Sequence, residues 1–237
     1  MAEFNRLWDD GPLFAQAEHF KLNTDCVLLS DFVNVSGSAK GIDLGCASGA
    51  IMLLLLAKHE RIRMTGLEIL DGAASLAAEN MAVNRLSGRA EILCGDIREH
   101  RTMFKSGSYD FAVANPPYYP ADSGQISPHE DKAAARTELI CSLADICDAA
   151  AFLCRTGGSL FLVHKPERLA EAMRMMSGKG LEPKRLRLVC PDASRPPSLV
   201  LIEARRGGRP GLKIEPMLFL NEPDGTESAE YKRIYHR

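Results

Sequence analysis

The stretch Ile42-Asp43-Leu44-Gly45-Cys46-Ala47-Ser48-Gly49-Ala50 runs from an apolar strand pattern into a turn that carries two glycines. The apolar run that follows, as far as about Lys58, is typical of a buried helix. Glycine lets the backbone approach a ligand closely, and the first turn of a helix presents unpaired N–H groups. The stretch therefore predicts a strand–turn–helix unit with a ligand site at the turn.

Outward from this unit, the chain alternates between predicted strands and predicted helices. Apolar and β-branched runs bounded by turn residues predict further strands at Arg63–Leu67, Ala90–Cys94, Tyr109–Val113, Ser159–Val163, Arg185–Cys190 and Ser198–Ala204. Helices are predicted at about 71–85, 136–153 and 167–176. This alternation of strands and helices favours an α/β fold, with a seven-stranded, mostly parallel sheet and helices on both faces.

The length of 237 residues suits one large α/β domain with its own core. We expect a single domain over 1–237 and divide it into an entry segment at 1–37, a core at 38–205 and a C-terminal tail at 206–237. In the entry segment, Thr24 or Asp25 is expected to cap a helix. The apolar face of that helix would consist of Val27, Leu28, Phe32 and Val33.

Acidic side chains directly follow two of the predicted strands. Glu68 ends the second strand and lies 19 residues after Gly49, close to the spacing at which a dinucleotide-binding unit places its ribose-binding acid. Asp96 follows the third strand. Because ligands of open α/β sheets bind at the carboxyl ends of the strands, these acids and the turn after Asp43 predict a single cleft.

Residues 114–119, Ala-Asn-Pro-Pro-Tyr-Tyr, follow the fourth predicted strand. The two prolines cannot donate ladder hydrogen bonds, so they end the strand and stiffen the loop. Asn115 offers an amide oxygen, Pro116 a carbonyl oxygen, and Tyr118 and Tyr119 flat aromatic faces. Two acceptors beside an aromatic face suit a planar guest that carries an NH2 group. The alternative is a turn that merely terminates the strand.

Composition and charge argue against several classes of protein. The seven cysteines form no C-x-x-C pair and the six histidines no H-x-x-x-H pair, so we expect neither a disulfide framework nor a metal site. The longest apolar run, 50–57, is far shorter than a membrane span, and the amino terminus lacks a signal-peptide pattern. A cytoplasmic protein with no membrane partner is therefore expected.

Positive charge is concentrated in residues 179–213. This stretch holds nine lysines and arginines against three acids, in a chain whose net charge is −2. Nucleic-acid contact and a simple solvated face explain such a run about equally well. We select Arg195 and Arg205 as the first candidates for contact with phosphates.

Taken together, these motifs resemble the class I S-adenosylmethionine-dependent methyltransferases, whose fold is Rossmann-like. Residues 43–49 are similar to the first cofactor motif of that class, although Ala47 stands where a middle glycine is usual. Residues 115–118 are similar to the catalytic loop of members that methylate exocyclic or amide nitrogens. The resemblance implies S-adenosyl-L-methionine as the cofactor, with a binding site made of Asp43, Gly45, Gly49, Glu68, Asp96, Thr24 and Asp25.

Three further segments narrow the resemblance to the bacterial tRNA1(Val) adenine-N6 methyltransferase family: 20–29, 135–138 and 191–207. The likeness covers about residues 18–235. It implies N6-methylation of an anticodon-loop adenine in tRNA, with no obligate protein partner. The residues expected to bind the RNA are Tyr119, Arg136, Arg195 and Arg205.

The same resemblance implies direct methyl transfer to an adenine that has been extruded from its stack. Asn115 and the carbonyl of Pro116 would accept the two N–H bonds of the adenine amine, and Tyr118 would stack on the ring. These three residues are the expected catalytic residues, and no metal is required.

Three other functions remain open. A protein glutamine-N5 methyltransferase uses a similar loop but typically adds an N-terminal helical domain, and only about 40 residues precede the first strand here. An adenine-N6 methyltransferase of rRNA or DNA is a second alternative, although no separate target-recognition domain is visible. The third is a cofactor-binding module without catalysis.

Overall fold

The computed structural model describes residues 2–16, 22–116 and 141–236. The strands in this part of the chain are β1 (Asn5–Arg6), β2 (Leu13–Phe14), β3 (Lys40–Leu44), β4 (Arg63–Glu68), β5 (Ala90–Cys94), β6 (Tyr109–Ala114), β7 (Cys154–His164), β8 (Leu181–Cys190), β9 (Leu199–Arg206), β10 (Lys213–Ile214) and β11 (Leu218–Phe219). The α-helices are α1 (Thr24–Phe32), α2 (Ala50–Lys58), α3 (Asp71–Val83), α4 (His100–Met103), α5 (Leu143–Leu153), α6 (Leu169–Gly178) and α7 (Ala229–Ile234). Short 3-10 helices lie at Ile97–Glu99 and Pro166–Arg168.

Within the described residues, a nine-stranded sheet forms the centre of the fold, in the order β10-β8-β9-β7-β6-β3-β4-β5, with β11 also paired to β8. Only β9 runs antiparallel to its neighbours in this sheet. The mostly parallel α/β sheet is thereby confirmed, and the seven predicted strands are its long strands. We call the edge where the parallel strands end the carboxyl edge, and the opposite edge the amino edge.

Helices cover both faces of the sheet, as the alternation predicted. Alternate residues of β6 show the division: Phe111 and Val113 belong to one buried cluster, and Ala112 and Ala114 to the other. This follows from the two-residue period of a strand. The first cluster packs against α1, α2 and α3, and the second against α5 and α6.

The cap of α1 differs from the prediction. Asn23, and neither Thr24 nor Asp25, is the N-cap: its side-chain oxygen accepts from the backbone N of Cys26 at 3.0 Å. A capping residue needs extended backbone, and Asn23 has it with φ −115° and ψ 167°. The predicted apolar face is confirmed, since Val27, Leu28, Phe32 and Val33 are buried.

Two strands begin earlier than their apolar patterns indicate. The strand predicted from Ser159 starts at Cys154 and includes Gly157 and Gly158. A Cβ at Gly158 would lie 2.7 Å from the carbonyl oxygen of Asp110, so glycine is required where the strands approach closely. The pairing register of β6 with β7 shifts at this point, which is the irregularity that glycine inside a strand often marks. In the same way, β8 starts at Leu181 instead of Arg185.

The C-terminal tail adds to the sheet. Its strands β10 and β11 pair with β8, and Leu218 and Ile234 are buried in the core. Arg187 of β8 donates two hydrogen bonds to the carboxylate of Glu230, at 2.9 and 2.8 Å. The tail had shown no strand pattern because β10 and β11 are only two residues long.

Part of the predicted helix 136–153 lies outside the described residues. The described part begins at Leu143, where Ser142 and Asp145 form a capping box. Within the described ranges, every helix is too short or too polar to cross a membrane.

Candidate active site

The turn between β3 and α2, predicted from its glycines, has a left-handed backbone at several residues. Gly45 and Gly49 both have a φ of 81°, and Ala47 between them has a φ of 46°. A Cβ at Gly49 would lie 3.2 Å from the Cβ of Ala77 on α3, so this glycine also allows close packing of the helices. Ala47 thus adopts a left-handed conformation that is unfavourable for a residue with a side chain, at a cost of roughly 1–2 kcal/mol.

Glu68, the last residue of β4, joins this turn to the strand through hydrogen bonds. Its carboxylate accepts from the backbone N of Ala47 at 2.8 Å and from the backbone N of Leu70 at 3.0 Å. The side chain is buried. The first of these bonds holds Ala47 in its left-handed conformation. The predicted ribose contact of Glu68 would therefore come from a carboxylate that also shapes the turn.

Asp43 is a fully buried acid at the end of β3. Among the described residues, neither of its carboxylate oxygens has a hydrogen-bond partner. Burial, and secondarily the charge of Glu68, raises the pKa of Asp43 to about 8. A buried carboxylate without donors fits a ligand that brings its own cation or N–H groups. The amino-acid part of S-adenosylmethionine carries such an ammonium group, so Asp43 suits that cofactor.

Asn115 lies at the carboxyl edge, where β6 ends, and contacts the entry helix. Its amide nitrogen donates to the sulfur of Cys26 in α1 at 3.4 Å. Burial raises the pKa of the Cys26 thiol to about 12, and the charge of Asp43 contributes to this shift. Asp43, Cys26 and Asn115 are therefore neighbours in one place. Pro116, the second predicted acceptor, directly follows Asn115 and is buried.

Cys26 is a residue of this site that the sequence analysis did not select. It directly follows Thr24 and Asp25, which were expected to bind the cofactor, and all three lie in the first turn of α1. The contact of Cys26 with Asn115 brings the first turn of α1 to the carboxyl edge. The only signal in the sequence was this adjacency, because a single cysteine beside an apolar face is usually a core residue.

Asp96 lies at the same edge, just after β5. Its carboxylate accepts from the backbone N of Arg98 at 2.8 Å and pairs with the Arg98 guanidinium. The hydrogen bond from that guanidinium is the main reason why the pKa of Asp96 lies below its usual range. The preceding residue, Gly95, donates its backbone N–H to the carbonyl of Glu68 at 2.8 Å. Asp43, Glu68 and Asp96 thus end three adjacent strands at one edge.

The two arginines selected from the basic stretch are far apart in the fold. Arg195 follows β8, which ends at the carboxyl edge, and its guanidinium pairs with Asp192 at 2.6 Å. Arg205 lies near the end of the antiparallel strand β9, paired with Ser159 of β7 and with Glu182 at the start of β8, at the amino edge. It lines a cavity of about 460 Å³ there, together with Arg155, Asp110 and Glu203.

Several other cations of the stretch are engaged within the molecule. Arg185 pairs with Glu203 at 2.9 Å and with Glu215 at 3.3 Å, and Lys179 pairs with Asp148 at 2.7 Å. Arg185 also stacks on the ring of Phe32. Much of the positive charge that the sequence offered for nucleic-acid binding is therefore compensated within the fold.

Three of the predicted site residues lie outside the described residues: Tyr118, Tyr119 and Arg136. In the ranges that the structure does describe, no group of three or more histidine, cysteine or acidic side chains is arranged to hold a metal ion.

A parallel sheet with one antiparallel strand, a left-handed glycine turn and acids at three adjacent strand ends define the fold of the class I methyltransferases. A solved structure from Agrobacterium tumefaciens, described as a predicted O-methyltransferase, has this fold, with a TM-score of 0.73, 19% identity and coverage of 90% of this chain and 96% of that one. The geranyl diphosphate C-methyltransferase of Streptomyces coelicolor, solved with S-adenosyl-L-homocysteine, aligns with a TM-score of 0.58 and 15% identity over 76% of this chain and 79% of that one.

The profile of the family described as "Methyltransferase small domain" matches residues 14–179, and the chain belongs to this family. Among its relatives is the tRNA1(Val) (adenine(37)-N6)-methyltransferase of Bacteroides fragilis. That enzyme is 31% identical over 182 residues, which cover 77% of this chain and 76% of the relative.

Proposed function

We propose that this protein uses S-adenosyl-L-methionine to methylate N6 of an adenine in tRNA. The observation that carries the proposal is the position of Asn115, at the end of β6 and in contact with the helix whose first turn adjoins the buried acid Asp43. This position brings an amide to the edge where the cofactor turn lies. The name of the Bacteroides fragilis relative supports adenine in tRNA as the target.

S-adenosylmethionine supplies an electrophilic methyl group on a sulfonium ion. The protein's part is to bind and aim the two reactants. Asp43 provides a buried acceptor for the ammonium group of the cofactor, and Glu68, which closes the turn, is placed to accept from the ribose hydroxyls. Thr24, Asp25 and Asp96 complete the proposed cofactor site at the same edge.

The amine of adenine is a poor nucleophile because its lone pair is delocalised into the ring. Two acceptors that take its two N–H bonds would hold the amine in place and favour a more pyramidal nitrogen. We assign these acceptors to the side-chain oxygen of Asn115 and the carbonyl of Pro116, with Tyr118 and Tyr119 as stacking surfaces. The side-chain nitrogen of Asn115 donates to the sulfur of Cys26. This hydrogen bond orients the amide, so that its oxygen points away from Cys26.

The RNA would approach the carboxyl edge, since the acceptors lie there. Arg195, which follows β8 at that edge, is the described cation that we assign to an RNA phosphate. Arg136 is assigned to the same surface from the sequence alone. Since tRNA is the proposed substrate, we also propose that the protein acts in the cytoplasm and requires no protein partner for transfer.

The function is tested by incubating the purified chain with S-adenosylmethionine that carries a labelled methyl group. Unmodified tRNA, rRNA, duplex DNA and a protein extract are offered in parallel, and the labelled RNA is digested to nucleosides. We expect N6-methyladenosine in the tRNA fraction. Label only in protein would indicate a glutamine-N5 methyltransferase, and label only in rRNA or DNA would also reject tRNA as the substrate. Binding of the cofactor without label in any fraction would reject catalysis.

A further inference from the structure

The open end of the sheet exposes a cluster of large apolar side chains. In the described part of the chain, seven large hydrophobic side chains are exposed, and four of them lie within eight consecutive residues. These four are Leu212, Ile214, Met217 and Phe219, with exposed fractions of 37%, 66%, 49% and 37%. We call them the apolar strip. Exposed apolar groups scattered singly need no explanation, whereas a contiguous cluster indicates a contact surface.

The apolar strip follows one face of the sheet edge. Ile214 pairs in register with Leu186, and Phe219 with Cys190. Since these two β8 residues are four positions apart, they point to the same face. The sulfur of Met217 lies 3.9 Å from that of Cys190, so Met217 belongs to this face as well.

The backbone of β10 also offers hydrogen bonds at this edge. β10 is the last strand of the sheet in the described residues, and the backbone N of Glu215 donates to the carbonyl of Leu186 at 2.8 Å. Successive residues of a strand direct their N–H and C=O groups to opposite sides. Those of Ile214 therefore point away from β8. An open edge with outward-facing peptide groups is a template for another strand.

The two residues that flank Ile214 carry opposite charges, so this segment is complementary to the same segment of a second copy. Lys213, which precedes Ile214, is exposed. Glu215, which follows it, is half-buried and also pairs with Arg185 at 3.3 Å. If two copies of this strand pair antiparallel about Ile214, Lys213 of each copy faces Glu215 of the other. Opposite charges that face each other across strands stabilise the pair. The same segment thus provides both halves of the contact.

We propose that β10 pairs with β10 of a second copy of this chain, antiparallel about a twofold axis at Ile214, so that Ile214 faces its mate and Leu212 of each copy faces Pro216 of the other. Pro216 has no N–H group and limits the ladder to a few residues on each side of Ile214. The apolar contact then comes from Ile214 and Leu212 of both copies, and the peptide groups and the two ion pairs set the register.

This arrangement has a consequence for the two active sites. A twofold axis that pairs strands antiparallel reverses the direction of the sheet, so the carboxyl edges of the two copies face opposite ways. Each site then binds its own substrate. Association and methyl transfer are therefore separate properties, and the proposed dimer is tested without reference to the reaction.

The test is sedimentation velocity of the full chain over a series of concentrations. We expect a reversible dimer of the unmodified chain. Ile214→Lys places two ammonium groups opposite each other, and should raise the dissociation constant by at least about tenfold because like charges facing across strands repel. Since Ile214 is 66% exposed, thermal unfolding of the variant should match that of the parent at concentrations low enough to keep both monomeric. The matched control is Val83→Lys, at an apolar side chain on α3 that is 40% exposed, and it should leave the dimer intact.

Hydrogen exchange distinguishes strand pairing from loose association. The backbone amide of Ile214 should exchange slowly in concentrated samples and quickly in dilute ones, and Ile214→Lys should remove this dependence at position 214. A chain that stays monomeric at its highest attainable concentration overturns the proposal. So does a dimer that persists undiminished in Ile214→Lys, or one in which the amide at position 214 exchanges at the same rate at all concentrations.

Discussion

At the scale of single residues, Asn115 has the most specific role. In the proposed function its amide oxygen contacts the substrate and its amide nitrogen contacts Cys26, but neither contacts the cofactor. Asn115→Ala should therefore bind cofactor with unchanged affinity and change the unfolding temperature little, since only the contact with Cys26 is lost. Turnover should fall by a factor on the order of 10²–10³, by comparison with the loss of one oxyanion-hole donor. Single-turnover methylation of tRNA, measured beside a calorimetric cofactor titration, checks both parts.

Asn115→Asp is the matched comparison for this experiment. It keeps oxygen acceptors at the same place but adds a negative charge near the position of the sulfonium ion. Transfer should be impaired while cofactor binding is retained or tightened. Near-normal transfer by Asn115→Ala would show that this loop is not the catalytic centre.

Asp43 should make the stability of the cofactor-free protein depend on pH. Its pKa in the folded protein is about 8, whereas an unfolded chain has the ordinary value of about 3.9. Between these two values the folded state binds more protons at this position, so the contribution of the neutral acid to stability is lost as pH rises toward 8. The loss approaches about 1.4 kcal/mol for each pH unit within that window.

Asp43→Asn removes this titration and keeps the side chain's shape. Urea unfolding at several pH values should show the parent losing stability relative to the variant as pH rises, while the variant binds cofactor poorly. If the stabilities of parent and variant change with pH in parallel, Asp43 is ionised in the folded protein over the whole pH range. Its pKa is then not raised by burial.

At the scale of secondary-structure elements, the site depends on how β4 is joined to the turn after β3. Glu68→Gln retains only one acceptor oxygen for the backbone N–H groups of Ala47 and Leu70. A hydrogen bond to a charged acceptor contributes about 1.5–3 kcal/mol, so stability should fall by an amount of this order. Cofactor affinity should fall roughly ten- to a hundredfold, as measured by calorimetry.

The control for Glu68 is Glu91→Gln, an exposed acid on the neighbouring strand β5. It should change neither property. A folded Glu68→Gln variant with lower stability but unchanged cofactor affinity would restrict Glu68 to shaping the turn.

At the scale of the whole molecule, the sheet separates the two arginines proposed for RNA binding. Arg195 lies at the carboxyl edge with Asn115, and Arg205 at the amino edge. Arg195→Gln should therefore flatten the dependence of log affinity on log salt by about one unit, as the loss of one phosphate contact does. Arg205→Gln is the control from the same stretch and should leave the slope unchanged.

Filter binding of tRNA at several salt concentrations measures both slopes. A flatter slope for Arg205→Gln would mean that the RNA also reaches the amino edge. An unchanged slope for Arg195→Gln would leave Arg195 as a solvated residue paired with Asp192.

The sequence by itself determined the alternation of the seven long strands with helices, the turn that carries Gly45 and Gly49, and the end of β6 before Asn115. These features depend on residues close together in the chain: apolar periodicity, the freedom of glycine and the missing N–H of proline. Only the tertiary structure decided that Cys26 meets Asn115 across 89 positions, that Asp43 is buried with no donor among the described residues, and that Arg205 lies at the edge opposite the site. Pairing partners, strand direction and desolvation are set by groups distant in sequence, and local patterns carry no information about them.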